Sequence, residues 1–149
     1  MNTTEKLRLL QADMKNVQFF LDQFEPAKRR SVHILEGGEL VIIKNYPLPD
    51  KYHPDEIDLV LVTSNYPQSP PQGMHVMQSA ENRALLSQLN AKFGHTYNNA
   101  AVSEAEDIAG YSWLCLHYSG YKWQFDLDYG DNIYKLLVTF FALLEGKKS

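Results

Sequence analysis

The chain has 149 residues, 14 Lys+Arg against 18 Asp+Glu, and a formal net charge of −4. That length fits one compact domain over residues 1–149, burying roughly 68–70% of its unfolded surface. The 44% apolar and 21% charged composition excludes a disordered chain, and the lack of a basic run excludes a dedicated nucleic-acid binder, whose affinity rests on phosphate neutralisation.

In chain order, Leu7, Leu10, Met14, Val17, Leu21 and Phe24 recur at spacings of three and four, which predicts a helix over 4–24. Asn2, Thr3 and Thr4 are candidate caps, and Pro26 lies beyond its end. Lys28, Arg29 and Arg30 read as a solvated cluster near the helix C-terminus, favoured by the dipole, with a docking patch as the alternative. Two β-prone runs flank Glu36-Gly37-Gly38-Glu39 and predict a β-hairpin. Residues 57–63 alternate as a third strand, and Met74–Met77 suits a short fourth. Between them, Tyr66-Pro67-Gln68-Ser69-Pro70-Pro71 cannot supply a ladder of N–H donors and reads as a stiff extended loop.

Ser79–Phe93 reads as a short helix capped by Ser79, with Leu85, Leu86 and Leu89 inward. Residues 94–108 show no period and read as a surface loop. Tyr111–Tyr118 and Tyr121–Phe125 are β-prone around a Ser119-Gly120 turn. The final helix buries Ile133, Leu136, Leu137, Phe140, Leu143 and Leu144, with Asp131 at its start and Gly146 at its end. Consecutive strands between helices predict an α+β fold: an N-terminal helix, an antiparallel β-meander and a C-terminal helix packed on the sheet.

The apolar stretch from Leu136 to Leu144, broken by Thr139, is too short to span a bilayer. The N-terminal MNTTEKLRLL lacks the features of a secretory signal. Cys115 is the single cysteine, so no intramolecular disulfide forms and a cytoplasmic location is expected. His33, His53, His75, His95 and His117 are scattered without ligand spacing, so no metal is expected. No phosphate-cradling glycine motif is present, so no nucleotide cofactor is expected. Cys115 between Leu114 and Leu116 has two readings, a small buried apolar residue or a nucleophile.

Three features sit in one order. Tyr66-Pro67-x-x-Pro70-Pro71 follows the meander. Leu114-Cys115-Leu116 comes next, with Trp123 eight residues past the cysteine. A helix with apolar residues at relative positions 0, 3, 4, 7, 10 and 11 then starts at Ile133. This set resembles the ubiquitin-conjugating enzyme superfamily, and most of all its divergent prokaryotic members, from about Leu7 to Leu144. The chain's stopping after the first helix behind the active site agrees with those members.

The resemblance implies a ubiquitin-conjugating-enzyme-like fold and a thioester on Cys115. It implies three partners: a ubiquitin-like protein, a cognate adenylating enzyme and an acceptor protein, in a bacterial antiphage conjugation pathway. The N-terminal helix would then dock on the activating enzyme; Lys6, Arg8 and Lys15 are candidates for its positive charge there, with solvated helix cations as the default reading. His117, two residues beyond the cysteine, shares its face if the segment is extended, and is a candidate to support the thiol or a strand-edge histidine. Asp126 and Asp128 are either carboxylates for an incoming lysine or loop acids before the final helix. The family's His-Pro-Asn tripeptide has no counterpart between the Pro-rich loop and Cys115; His53-Pro54-Asp55 precedes that loop. Asn99, beside Asn98, is the candidate for the missing oxyanion-stabilising asparagine. The alternative reading is a non-catalytic, RWD-like module that binds a ubiquitin-like protein or scaffolds a complex.

Overall fold

The computed structural model describes residues 2–24, 29–71, 74–77, 82–93, 96–97, 111–114 and 123–146. Helix α1 spans Thr3–Leu21 and is capped by Asn2, whose side chain accepts the N–H of Glu5 at 2.8 Å. Its buried stripe is Leu10, Asp13, Met14, Val17 and Leu21, the predicted spacing with one acid added. Strands β1 (Ser31–Leu35) and β2 (Leu40–Pro47) form the predicted hairpin around a short 3₁₀ turn, Glu36–Gly38. Gly37 and Gly38 hold φ of 65° and 97° there, a conformation that glycine adopts without a Cβ penalty.

Strand β3 (Glu56–Val62) pairs antiparallel with β2, and β4 (Met74–Met77) with β3. The β2–β3 register slips between Ile43 and Tyr46. Asn45 takes φ 57° within that bulge and its N–H is held by Asp58 Oδ1 at 2.9 Å; asparagine tolerates this region because its short polar side chain bonds locally. Helix α2 (Arg83–Phe93) follows, with Leu85 and Leu89 buried. Then come β5 (Thr96–Tyr97) and β6 (Tyr111–Leu114). The sheet has six strands in the order β1-β2-β3-β4-β6-β5, each pair antiparallel. Residues 96–97, expected in a surface loop, are therefore a sheet edge, because β6 turns back against β4 and leaves its other side for β5.

Helix α3 (Ile133–Leu144) closes the fold, with Ile133, Leu137, Phe140 and Leu144 buried. Its N-cap is Asn132, whose Oδ1 accepts the N–H of Lys135 at 2.7 Å. Asp131, expected at that position, instead accepts the N–H of Gln124 at 2.8 Å. Gly146 ends the helix with φ 91°, as its composition predicts. α1 and α3 pack on each other. Their apolar stripes join Val41, Ile43, Ile57, Leu59 and Leu61 from the sheet in one core. The architecture is α+β, an N-terminal helix and an antiparallel sheet with a C-terminal helix packed on it. No helix among the described residues is long and apolar enough to cross a membrane.

Arg30 departs from the solvated role expected of it. Its side chain is only 8% exposed and meets Glu56 Oε2 at 3.0 Å, with the guanidinium 5.9 Å from the centre of the Phe24 ring. The bulge carbonyl of Asn45 accepts from the same guanidinium, so the strand irregularity creates the acceptor that draws this cation inward.

Candidate functional site

β3 ends at Val62, and the chain turns through Thr63–Pro71. Thr63 is buried and its hydroxyl donates to the Gly38 carbonyl at 2.7 Å, tying the turn to the β1–β2 hairpin. Tyr66, also buried, donates its N–H to the Thr63 carbonyl at 3.1 Å. The Tyr66–Pro67 peptide is cis. Pro67 and Pro71 are buried while Gln68 and Ser69 face solvent. The segment expected to be an extended loop is thus a packed turn.

Two hydrogen bonds hold this turn. Trp123 Nε1–H donates to the Pro67 carbonyl at 2.8 Å. The Tyr66 hydroxyl donates to Asp13 Oδ2 at 3.0 Å, and its ring meets Phe125 edge-on at 5.2 Å between centroids. Residues 66–67 therefore touch residues 123–125 through both a hydrogen bond and a ring contact. This brings the first sequence feature, the Tyr-Pro turn, against the tryptophan of the second.

Asp13 is the polar centre of this region and was not singled out in the sequence. It is 0% exposed and accepts the N–H groups of Ile133 at 2.8 Å and Tyr134 at 2.9 Å. Those are orphan donors at the N-terminus of α3, where the helix dipole favours an anion. Burial pushes the Asp13 carboxyl above the usual carboxylate range, and the bonds from Ile133, Tyr134 and Tyr66 pull it back in part. In turn, burial and the neighbouring Asp13 carboxylate hold the Tyr66 phenol far above the usual range, so it stays a donor. The readable signal was an acid three residues after Leu10 and four before Val17, on the apolar stripe.

β6 delivers the chain to Cys115. Its last residue, Leu114, pairs with Met74, and Trp113 pairs with His75 on β4. His75 is 2% exposed and stands beside Val60 of β3 in the register. Cys115, His117, Asn98 and Asn99 themselves lie outside the described residues. Trp123, eight positions beyond Cys115, lies on the Pro67 turn.

The remaining candidates have defined surroundings. Asp126 Oδ1 accepts the N–H groups of Asp128 at 2.8 Å and Tyr129 at 2.9 Å, and these bonds hold its carboxyl below the usual range. Asp126 therefore shapes its own turn. Asp128 is exposed. Lys6 is occupied by Glu39 at 3.2 Å and by the Ser64 carbonyl at 3.2 Å, with a side chain only 14% exposed. Of the three α1 cations, only Arg8 and Lys15 project freely into solvent. No group of three or more metal-ligating side chains occurs among the described residues.

No family model matches the chain, and no match was found among curated proteins or solved structures.

Proposed function

We propose that this protein accepts a ubiquitin-like protein from an adenylating enzyme as a thioester on Cys115 and passes it to an acceptor amine or hydroxyl. In the first step the Cys115 thiolate attacks the carbonyl carbon of the incoming thioester. A new C–S bond forms as the bond to the donor enzyme's sulfur breaks, and that sulfur leaves as a thiolate. In the second step the acceptor attacks the same carbon, loses its proton to a base, and releases the Cys115 thiolate. An unperturbed thiol, with a pKa of about 8.5, is only a few per cent ionised near neutrality. That is sufficient here, because the incoming acyl group is already activated. His117 is the candidate proton acceptor and Asn99 the candidate donor to the oxyanion. The transfer as written needs no metal or nucleotide on this chain, since ATP is spent when the modifier is adenylated. A cytoplasmic, antiphage setting belongs to the same reading.

The observation that carries the proposal is the Trp123–Pro67 hydrogen bond of 2.8 Å. It joins residues of two motifs, 56 positions apart, that carry the sequence resemblance. The order helix, meander, Tyr-Pro turn and closing helix supports the same reading. Incubation with the cognate modifier, the adenylating enzyme and ATP should add the modifier's mass to this chain. Dithiothreitol should remove that mass, and Cys115→Ala should prevent it. A labile adduct that survives the substitution would disprove the assignment of Cys115.

The missing His-Pro-Asn tripeptide favours a second reading, a non-catalytic module that binds a ubiquitin-like protein. That module would bind the modifier without any thiol-sensitive adduct.

A further inference from the structure

Position 13 belongs to the apolar stripe of α1, between Leu10 and Val17, yet it carries a carboxylate with no solvent exposure. Burying a charge is costly unless hydrogen bonds replace its hydration. No cation pairs with Asp13 among the described residues. Three donors replace the lost water instead: the N–H groups of Ile133 and Tyr134, and the Tyr66 hydroxyl. An apolar residue would fill this stripe without the desolvation cost. What the carboxylate adds is direction, because its two oxygens fix three elements relative to one another.

Those elements are α1, the turn after β3 and the start of α3. The linkage continues from Tyr66 to the next residue, whose carbonyl receives the Trp123 indole N–H. The Tyr66 ring also rests on Phe125. Displacing Tyr66 therefore disturbs both anchors of residues 123–125. This segment lies between Cys115 and α3.

We infer that Asp13 is a positioning residue, which through Tyr66 and Pro67 fixes residues 123–125, the first of them eight positions beyond the proposed thioester cysteine. The assignment rests on the proposed reading of Cys115. It gives α1 a second task beside packing, because the same helix that presents Arg8 and Lys15 outward holds the Trp123 segment from within.

The test uses the full chain with Asp13→Asn, Tyr66→Phe and, as a control, Tyr52→Phe. Tyr52 donates to the Leu144 carbonyl at the far end of α3, so its loss costs stability without touching the linkage. The Trp123 indole N–H is followed by NMR and identified by its loss in Trp123→Phe. Tyr66→Phe and Asp13→Asn should each speed its solvent exchange by about tenfold, near the worth of one buried hydrogen bond. Tyr52→Phe should leave it unchanged. Wild-type exchange in both linkage variants would overturn the inference, as would an equal acceleration in Tyr52→Phe. Tyr66→Phe keeps the ring on Phe125, so it decides the matter if Asp13→Asn fails to fold. Thioester formation well below the unfolding temperature should slow in the two linkage variants and not in the control. A wild-type protein that forms no thioester overturns the reading of Cys115, while the exchange result judges Asp13 separately.

Discussion

The Tyr46 hydroxyl, on β2, donates to the Leu137 carbonyl in the middle of α3 across 2.6 Å. Two helical turns further on, the Tyr52 hydroxyl donates to the Leu144 carbonyl at 3.1 Å. One helix face is thus latched to the sheet side at two points. The two acceptors differ in kind. Leu137 lies inside the helical ladder, whereas Leu144 ends it and, among the described residues, its carbonyl accepts from no helical N–H. Tyr46→Phe should cost about 1 kcal/mol, the net value of one hydrogen bond. Tyr52→Phe should cost about 1–2 kcal/mol despite the longer bond, since it strips a terminal carbonyl of its partner. Urea unfolding of both variants checks the ranking.

Asp13 predicts a pH dependence of stability. Its folded pKa is raised above the ordinary value of 3.8, chiefly by burial. The folded state then binds a proton more tightly than the unfolded state in the window just above pH 3.8. Stability from this group is fully present below the unfolded pKa and is lost as pH rises through the folded one. Asp13→Asn should be less stable than wild type throughout, because its amide presents N–H groups toward the N–H donors of α3. The gap should widen as pH falls from neutrality toward 4, as only the wild type gains there. A gap that is constant over that range in paired urea titrations would contradict the assignment.

Legibility followed range. The α1 stripe, the Gly37-Gly38 hairpin and α3 were readable because each is written in neighbours three or four residues apart, or in one dipeptide. The strand order β4-β6-β5 was not, because it depends on pairings across α2 that leave no local period. The bulge at Asn45 was equally hidden, and with it the inward turn of Arg30. Asp13 shows a different failure. Its place on the stripe was visible, but an acid among leucines gains meaning only when the partners 53 and 120 residues away are known. Asp131 and Asn132 are adjacent polar residues that suit the same role, so the sequence pattern does not single out Asn132 as the cap.

Gly130 closes the turn before α3 and should not accept a side chain. A Cβ built there would lie 2.5 Å from the Gln124 carbonyl oxygen and 2.9 Å from the Asp126 nitrogen. Both are backbone atoms, and they are fixed by the bonds Asp131 N–H to Gln124 and Asp126 N–H to Asp131, at 2.8 and 3.1 Å. Gly130→Ala must therefore shift the backbone beside Trp123. We expect a loss of about 2 kcal/mol or more, in the range of strained and overpacked sites. Thermal unfolding measures it, and a change in Trp123 fluorescence at temperatures where the fold persists should accompany it.

The proposed chemistry requires that Cys115 react while the protein is folded. It is the only thiol in the chain, so labelling needs no site assignment beyond mass. A thioester-forming cysteine must admit an extended peptide tail, and a path of that width also admits iodoacetamide. Alkylation of the native protein at pH 8 should then run within about tenfold of the rate in urea, since thiolate fraction and access set the rate. The rate should rise with pH, because only the thiolate attacks. A thiol protected until global unfolding would react more slowly by about the folding equilibrium constant, several orders of magnitude. Such protection would remove Cys115 as an acyl carrier and leave the binding module. Asp13→Asn sharpens the result: if Asp13 orders only the segment after the cysteine, alkylation of the variant stays in the fast regime while thioester formation falls.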